Sequence, residues 1–585
     1  LKDPTILRRL IIIWVTTVCA IVLGCALWAG RLPAADNTPT PSATSSITPA
    51  ATPAASAPAA MSGWLDAASL PAMRWPDFRD YQAYVRNFYA QNGGSLAWLR
   101  DNEPTPAALA IIAELENADA KGLRAEDYDG GRWSARVTQL RQTSPPPTDA
   151  DRASFDLALT VCLMRYISDL HIGRINPKTV NFALDVEHKK YDLPTLLHDK
   201  FVNASPSDVQ GLIADVEPPF QGYQRALKAL QLYEGLASKG APPQLPVPAK
   251  AIGPGQLYPG LPQLVQFLRL VGDLAPDAVV QLDPPLYQQP VVDAVKSFQG
   301  RHGLETDGRL GAGTVKAINV PLSWRAEQLR LALERWRWRP TDFPRPPIVV
   351  NIPEFELRGL GPDYTPEIKM RVVVGKAFHH RTPVFTGNLS YVVFRPYWNV
   401  PLSIQRNELV PKIQRDRGYL AKGNYEVTNG RGTVVTDGVI SDDVLAKLRA
   451  GQLFVRQKPG PKNSLGLVKF IFPNDNNVYL HDTPSVALFA RARRDFSHGC
   501  IRVQDPTSLA VWVLRGKPGW DRDRVIGTMK GTTDNLIVTL DKPIPVLILY
   551  GTAVAPSDGK IYFYDDIYGY DAELEKVLSQ GYPYP

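Results

Sequence analysis

The sequence predicts a multidomain α+β chain: a helical scaffold domain, a small three-helix module, and a β-rich domain interrupted by an insertion. Three observations predict it. At 585 residues the chain exceeds a single core, since domains run to roughly 100–200 residues each. Apolar residues recur at helical spacing as far as Pro248, which marks amphipathic helices. Beyond Arg345 the pattern turns to period two and β-branched residues, as strands require.

Composition narrows the function classes. A hydrophobic fraction of 44% with 21% charged residues is that of an ordinary globular protein. The net charge of +7 is spread along the chain. No dense Lys/Arg block marks a nucleic-acid binder, and none is expected. Mild positive charge suits anionic surroundings such as a cell wall or membrane surface. The cysteines are Cys19, Cys25, Cys162 and Cys500, with no CxxC pair. That argues against a disulfide framework or a zinc ribbon.

Residues 1–9 carry Lys2, Arg8 and Arg9, and residues 10–30 carry no charge. Such a run is long enough to span a bilayer, and the basic residues before it predict a cytoplasmic N-terminus. The run exceeds the h-region of a signal peptide, and no clean cleavage site follows it. An uncleaved anchor is therefore expected over 10–30. Residues 31–60 are dominated by Pro, Ala, Ser and Thr. They bury too little to fold and read as a tether.

The helical domain is expected over 61–250. Thr105–Ala120, Ala153–Leu170, Ser207–Val216 and Tyr223–Ala237 show helical spacing, and Pro106 fits a first turn. Cys162 reads as a small buried hydrophobe. His171-Ile172-Gly173-Arg174 closes the long helix with a glycine stop. Pro/Gly-rich residues Gln244–Gly260 form a linker.

The module over 255–322 centres on Val291–Gln299, His302-Gly303-Leu304, Asp307-Gly308, Leu310-Gly311 and Thr314-Val315. Val292, Val295 and Phe298 mark one helix face. This string resembles the peptidoglycan-binding domain motif AVxxFQxxxGLxxDGxxGxxT. A bundle that only packs against its neighbours remains the other reading.

In the β-rich domain, expected over 345–575, strands are predicted at Ile348–Ile352, Met370–Gly375, Leu389–Phe394, Val478–Leu480, Leu536–Leu540 and Val546–Tyr550. Ser557-Asp558-Gly559-Lys560 signals a hairpin. The chemistry sits in Tyr479-Leu480-His481-Asp482-Thr483-Pro484 and Phe496-Ser497-His498-Gly499-Cys500-Ile501-Arg502-Val503. A cysteine attacks a carbonyl as thiolate, and its pKa of about 8.5 falls beside an imidazole. The sulfur is thus expected to be ionised when a peptide arrives. A histidine can take the thiol proton and pass it to a leaving amine. Gly499 lets backbone approach a substrate, and amides beside Cys500 could form an oxyanion hole.

His481 followed by Ser497-His498-Gly499-Cys500 resembles the signature of YkuD-type L,D-transpeptidases, HX(14–17)[ST]HGC. Val374-Gly375-Lys376, Thr382-Pro383, Arg395–Pro401, Pro461–Gly466 and Lys469-Phe470 stand in family order. The chain most nearly resembles the large YcbB-like murein L,D-transpeptidases of Gram-negative bacteria.

The resemblance implies Cys500 as nucleophile and His481 as general base. It implies a backbone role for the Asp482 carbonyl in orienting the imidazole, with the part of the carboxylate left open. Ser497, His498 and Gly499 would shape the loop and oxyanion region. Tyr479 and Trp398 would wall the pocket with Asn399, or be core aromatics. Arg502 would meet a substrate carboxylate, or serve a structural ion pair. Residues 402–466 would form a capping insertion over the substrate, or be a decorative insertion.

The implied reaction is acyl transfer through a cysteine thioester, from a tetrapeptide donor to a diaminopimelate amine, giving 3→3 cross-links in cell wall biogenesis. It needs no metal or organic cofactor. The implied setting is the periplasm, with the inner membrane holding the anchor and carbapenems acylating Cys500. An L,D-carboxypeptidase or endopeptidase, or a non-catalytic wall-binding scaffold, are the alternatives.

Overall fold

In the computed structural model the described residues are 59–377 and 380–582. The expected cytoplasmic stretch, the anchor over 10–30 and the tether as far as residue 58 lie outside them. The last tether residues join a short turn, Ala59–Met61. No helix among the described residues is long and apolar enough to cross a membrane.

The N-terminal part is helical, as its spacing predicts. Helix α1 (Pro106–Glu116) starts where Thr105 accepts a hydrogen bond from the Ala108 amide. Helix α2 (Asp149–Ile172) is buried along most of its length and forms the spine of this part. It begins four residues before the apolar run because Thr148 and Asp151 form a capping box, which satisfies amide donors left open in the first turn. It stops at Gly173, whose φ is +87°. A Cβ there would lie 2.5 Å from Trp338 Nε1. Cys162 on α2 is fully buried, and burial pushes its thiol far above the usual cysteine range. Helices α3 (Pro206–Val216) and α4 (Gln221–Ala237) follow.

Between α2 and α3 the two-residue strand β1 (Phe182–Ala183) leaves the helical part. It pairs in parallel with Val384-Phe385 of the β-rich part. Two residues carry no period, so the sequence gives no sign of this stitch.

The module contains α5 (Leu261–Leu270), α6 (Val291–Arg301) and α7 (Ala312–Ile318). Its motif residues serve the fold. The buried Gln299 side chain donates to Asp307 Oδ1, Arg309 O and Thr314 Oγ1. It also accepts from the Gly308 amide at 2.8 Å. Helix α8 (Leu322–Arg337) then bridges two cores. Leu329 and Leu333 pack with the module, and Leu331 packs with the β-rich part.

The β-rich part holds β2 (Ile348–Asn351), β3 (Glu356–Leu360), β4 (Pro366–Gly375) and β5 (Val384–Phe394). The insertion follows, with β6 (Trp398–Asn399), α9 (Val410–Arg415), β7 (Tyr425–Thr428), β8 (Val434–Thr436), α10 (Asp442–Ala450) and β9 (Phe454–Gln457). Next come β10 (Val468–Ile471), β11 (Leu480–His481), β12 (Asp495–Ser497) and β13 (Ile501–Val503). Helices α11 (Pro506–Leu514) and α12 (Arg522–Lys530) precede β14 (Leu536–Leu549), and α13 (Tyr570–Leu578) comes last.

The main sheet runs β10-β11-β13-β4-β3-β2-β14-β5, and β5 pairs back to β10, so these strands close on themselves. Closure leaves no exposed edge along the ring. Strands β1 and β12 attach to β5 and β4. The insertion forms its own sheet, β6-β9-β7-β8, over a separate core that includes Val427, Leu448 and Val455. The expected hairpin after Tyr550 forms, with Ala553 opposite Phe563. It packs on the module core rather than on the sheet.

Candidate active site

Strand alternation builds the site. In β11 and β13 the core face takes Leu480, Ile501 and Val503, all essentially buried. The opposite face therefore takes His481 and Arg502 and, one residue before each strand, Tyr479 and Cys500. The two strands run parallel, with His481 opposite Arg502 and Leu480 opposite Ile501. The Ile501 amide donates to Tyr479 O at 3.1 Å. Tyr479 thus stands beside Cys500, and His481 lies diagonal to it. On the other side of β11, Lys469 of β10 lies opposite His481. One sheet face therefore carries Lys469, Tyr479, His481, Cys500 and Arg502. The rings of Tyr479 and His481 are 5.7 Å apart, and Lys469 Nζ lies 5.9 Å from the Tyr479 ring centroid.

The imidazole is held in one tautomer. His481 Nδ1 is 2.5 Å from the Asp482 carbonyl oxygen. A carbonyl only accepts, so Nδ1 carries the hydrogen and Nε2 presents its lone pair. His481 is 4% exposed. Burial, then the charge of Arg502, pushes its pKa down to about 3, with Lys469 adding to the fall and the Asp482 carbonyl opposing it. The ring is neutral at pH 7.

The Asp482 carboxylate works elsewhere. It accepts from the Leu467 amide at 2.8 Å and the Thr483 amide at 2.6 Å. Gly466 makes room for it: a Cβ there would meet Asp482 Cγ at 2.3 Å, and φ is +61°. Burial raises the Asp482 pKa, and those two amides hold it back.

The half-buried Cys500 places Sγ 3.7 Å from Asn477 O. Desolvation raises its thiol pKa above the ordinary value, against the pull of Tyr479 hydrogen bonds, Arg502 and Lys469. This reverses the expectation of an ionised sulfur. Burial outweighs the nearby positive charges, and a neutral imidazole supplies no cation. The resting pair is thiol and neutral ring.

The loop before Cys500 is tied to itself and to its neighbours. Ser497 Oγ donates to Cys500 O at 2.6 Å and accepts from the Gly499 amide at 3.2 Å. The Gly499 amide is thereby committed to the loop. Gly499 is required by its φ of +116°; a Cβ would meet only ordinary contacts, at 3.8 Å or more. Its carbonyl accepts from Thr382 Oγ1 at 2.7 Å, and Thr382 Oγ1 accepts from the Gly375 amide. Tyr568 completes the brace, donating to Gly375 O at 2.6 Å and accepting from the Thr382 amide. Sequence reading missed Tyr568, because a tyrosine nearly seventy positions downstream carries no local signal.

His498 turns away from the sulfur. Its Nε2 lies 2.5 Å from Glu408 Oε1 in the insertion, and its ring packs edge-on against His380 at 4.8 Å. It couples the loop to the cap. Trp398 and Asn399, expected at the substrate, lie in the insertion's own sheet, opposite Gln457 and Arg456. Trp398 packs on the insertion's core, which is the core-aromatic reading. Where the insertion rejoins the ring, the buried Asn463 side chain donates to Pro396 O and Lys458 O, each at 3.0 Å.

Three stretches match known family models. Residues 83–230 match a scaffold domain, residues 272–318 a "Putative peptidoglycan binding domain", and residues 346–526 the L,D-transpeptidase catalytic domain called YkuD. The chain is also similar to a Haemophilus influenzae protein named "Putative L,D-transpeptidase", at 35% identity over 230 residues, or 39% of this chain. The match spans 45% of that relative's length.

Proposed function

We propose that the chain cross-links peptidoglycan stem peptides through a thioester on Cys500, a reading supported by the match of residues 346–526 to the L,D-transpeptidase catalytic domain of the YkuD family. The observation that carries the proposal is the shared sheet face. There the His481 imidazole, its Nδ1 held by the Asp482 carbonyl, lies diagonal to the sulfur across paired strands. A neutral base on the same face as the sulfur supports a cysteine acyl transfer.

The steps follow from the neutral resting pair. As Sγ attacks the carbonyl carbon of the L-centre of diaminopimelate in a donor tetrapeptide, His481 Nε2 takes the thiol proton. The new C–S bond leaves an oxyanion, which the Cys500 amide receives, the Gly499 amide being held by Ser497. The oxyanion collapses, the C–N bond breaks, and D-Ala departs with the proton from His481. The side-chain amine of a second stem then attacks the thioester. His481 takes the amine proton and returns it to sulfur as the C–S bond breaks. The product is a 3→3 cross-link. His498 and Ser497 hold the loop rather than move protons, and the insertion caps the donor.

In the same reading the chain works in the periplasm of a Gram-negative envelope. Residues 10–30 anchor it to the inner membrane, and the module keeps it near the wall.

Incubation of the purified protein with tetrapeptide stems, followed by mass spectrometry of the muropeptides, tests the proposal. Free D-Ala together with 3→3 dimers is expected. D-Ala release without dimers assigns an L,D-carboxypeptidase, and dimer cleavage an endopeptidase. Turnover that survives in Cys500→Ala overturns the mechanism. Wild-type protein that binds sacculi but releases no D-Ala assigns a wall-binding scaffold.

A further inference from the structure

Two cations on the site face meet no carboxylate among the described residues. Lys469 and Arg502 flank His481 across three adjacent strands, β10, β11 and β13. Both are half-buried. Among the described residues neither makes an ion pair, and Arg502 Nε is buried without a hydrogen-bond partner. Buried cations without counter-charges are costly and are ordinarily paired. Two other buried arginines are paired or bonded. Arg335 meets Asp571 at 2.5 Å, and Arg494 donates to the Phe355 and Val372 carbonyls. Lys469 and Arg502 sit beside the sulfur, where a substrate would supply the missing charge.

The spacing fits one group of that substrate. Cys500 and Arg502 are two positions apart, about 7 Å along the strand. The strands of Lys469 and Arg502 are separated by one strand, so about 10 Å across the sheet. A carboxylate over His481 is within reach of both long side chains. In a donor stem the carboxylate of the leaving residue lies one residue beyond the scissile carbonyl, about 3.5 Å along the chain. With that carbonyl at Sγ and the stem directed along β13 towards Arg502, the leaving residue's carboxylate comes within reach of both long side chains.

We infer that Lys469 and Arg502 form a two-cation receptor for the free C-terminal carboxylate of the donor stem, and so restrict the enzyme to donors that end in a free carboxylate. The inference rests on the transpeptidase reading for the identity of the donor. The presence of an anion receptor at the sulfur is separable from it. Arg502 supplies the planar fork suited to a carboxylate, and Lys469 supplies a point charge from the opposite side. A stem with its terminus amidated keeps the scissile bond but presents no charge to the pair.

Two measurements on the full chain test this. The first compares alkylation of Cys500 by iodoacetate and by iodoacetamide, reagents that differ in the carboxylate and need no turnover. The wild type is expected to favour iodoacetate by roughly tenfold relative to free cysteine. Lys469→Met should abolish most of that preference, and Lys469→Arg should retain it. The second compares D-Ala release from a free-carboxylate tetrapeptide with D-alaninamide release from its carboxamide. Lys469→Met should lower kcat/KM at least tenfold for the carboxylate donor, chiefly through KM, and little for the carboxamide. Equal alkylation by the two reagents in the wild type overturns the receptor, as does an equal loss for both donors in Lys469→Met. A preserved iodoacetate preference with no acyl-enzyme from either stem keeps the anion receptor and overturns the transpeptidase reading with its donor assignment.

Discussion

The neutral resting pair makes a sharp statement about acid. With the His481 pKa at about 3, roughly 1% of the ring is protonated at pH 5. An imidazole at the ordinary 6.5 would be about 97% protonated there, and a reaction needing its lone pair would slow about 30-fold. Acylation measured between pH 7 and pH 5 should therefore stay within about twofold. The assay is the initial rate of D-Ala release at subsaturating tetrapeptide, which reports kcat/KM.

The same depression affects stability, with a definite sign. The folded ring stays neutral while the unfolded chain takes up the proton. His481's contribution is intact above pH 6.5 and is lost as pH falls towards 3. Its loss reaches about 5 kcal/mol in total, of which about 2 kcal/mol is gone by pH 5. Circular dichroism at each pH separates unfolding from chemistry. A fall in rate with a midpoint near 6.5, while the protein stays folded, would refute the buried neutral base.

Other consequences follow from the loop and its brace. Gly375→Ala puts a Cβ 1.9 Å from His380 O and 2.7 Å from the Thr382 amide nitrogen. Backbone must move, so denaturant unfolding should show a loss of about 3 kcal/mol and D-Ala release should collapse; an unchanged midpoint would mean the strand end has room. Tyr568→Phe removes the hydroxyl that joins Gly375 O to the Thr382 amide. It should cost about 1–3 kcal/mol and slow acylation, read as kcat with KM little changed. A carbapenem should add its full mass to Cys500 and leave Cys500→Ala untouched; unmodified wild type would mean the cap closes the sulfur to such ligands.

What the sequence made legible followed from periodicity. The strand ending at Leu480 was legible in this way, whereas the strand Ile501–Val503, which carries Arg502 on the site face, was not predicted. The glycine after α2 was legible for a local reason of its own. Pairing was not legible. Lys469 joins the site only because β10 aligns it with His481, and β1 joins the ring only because two residues of the helical part meet β5. Trp398 could be read from the sequence as pocket wall or core aromatic, and it packs on the insertion's core. The charge state of Cys500 was misjudged because proximity to an imidazole was weighed without burial, which acts on both groups and wins.

Intact-mass spectrometry of rapidly quenched protein, mixed with a tetrapeptide stem and no acceptor, tests the central claim most directly. The account predicts a covalent adduct equal to the stem less D-Ala, mapped to Cys500, forming as D-Ala appears and strongly slowed in His481→Gln. D-Ala released with no adduct at any time, or an adduct on another residue, would contradict it.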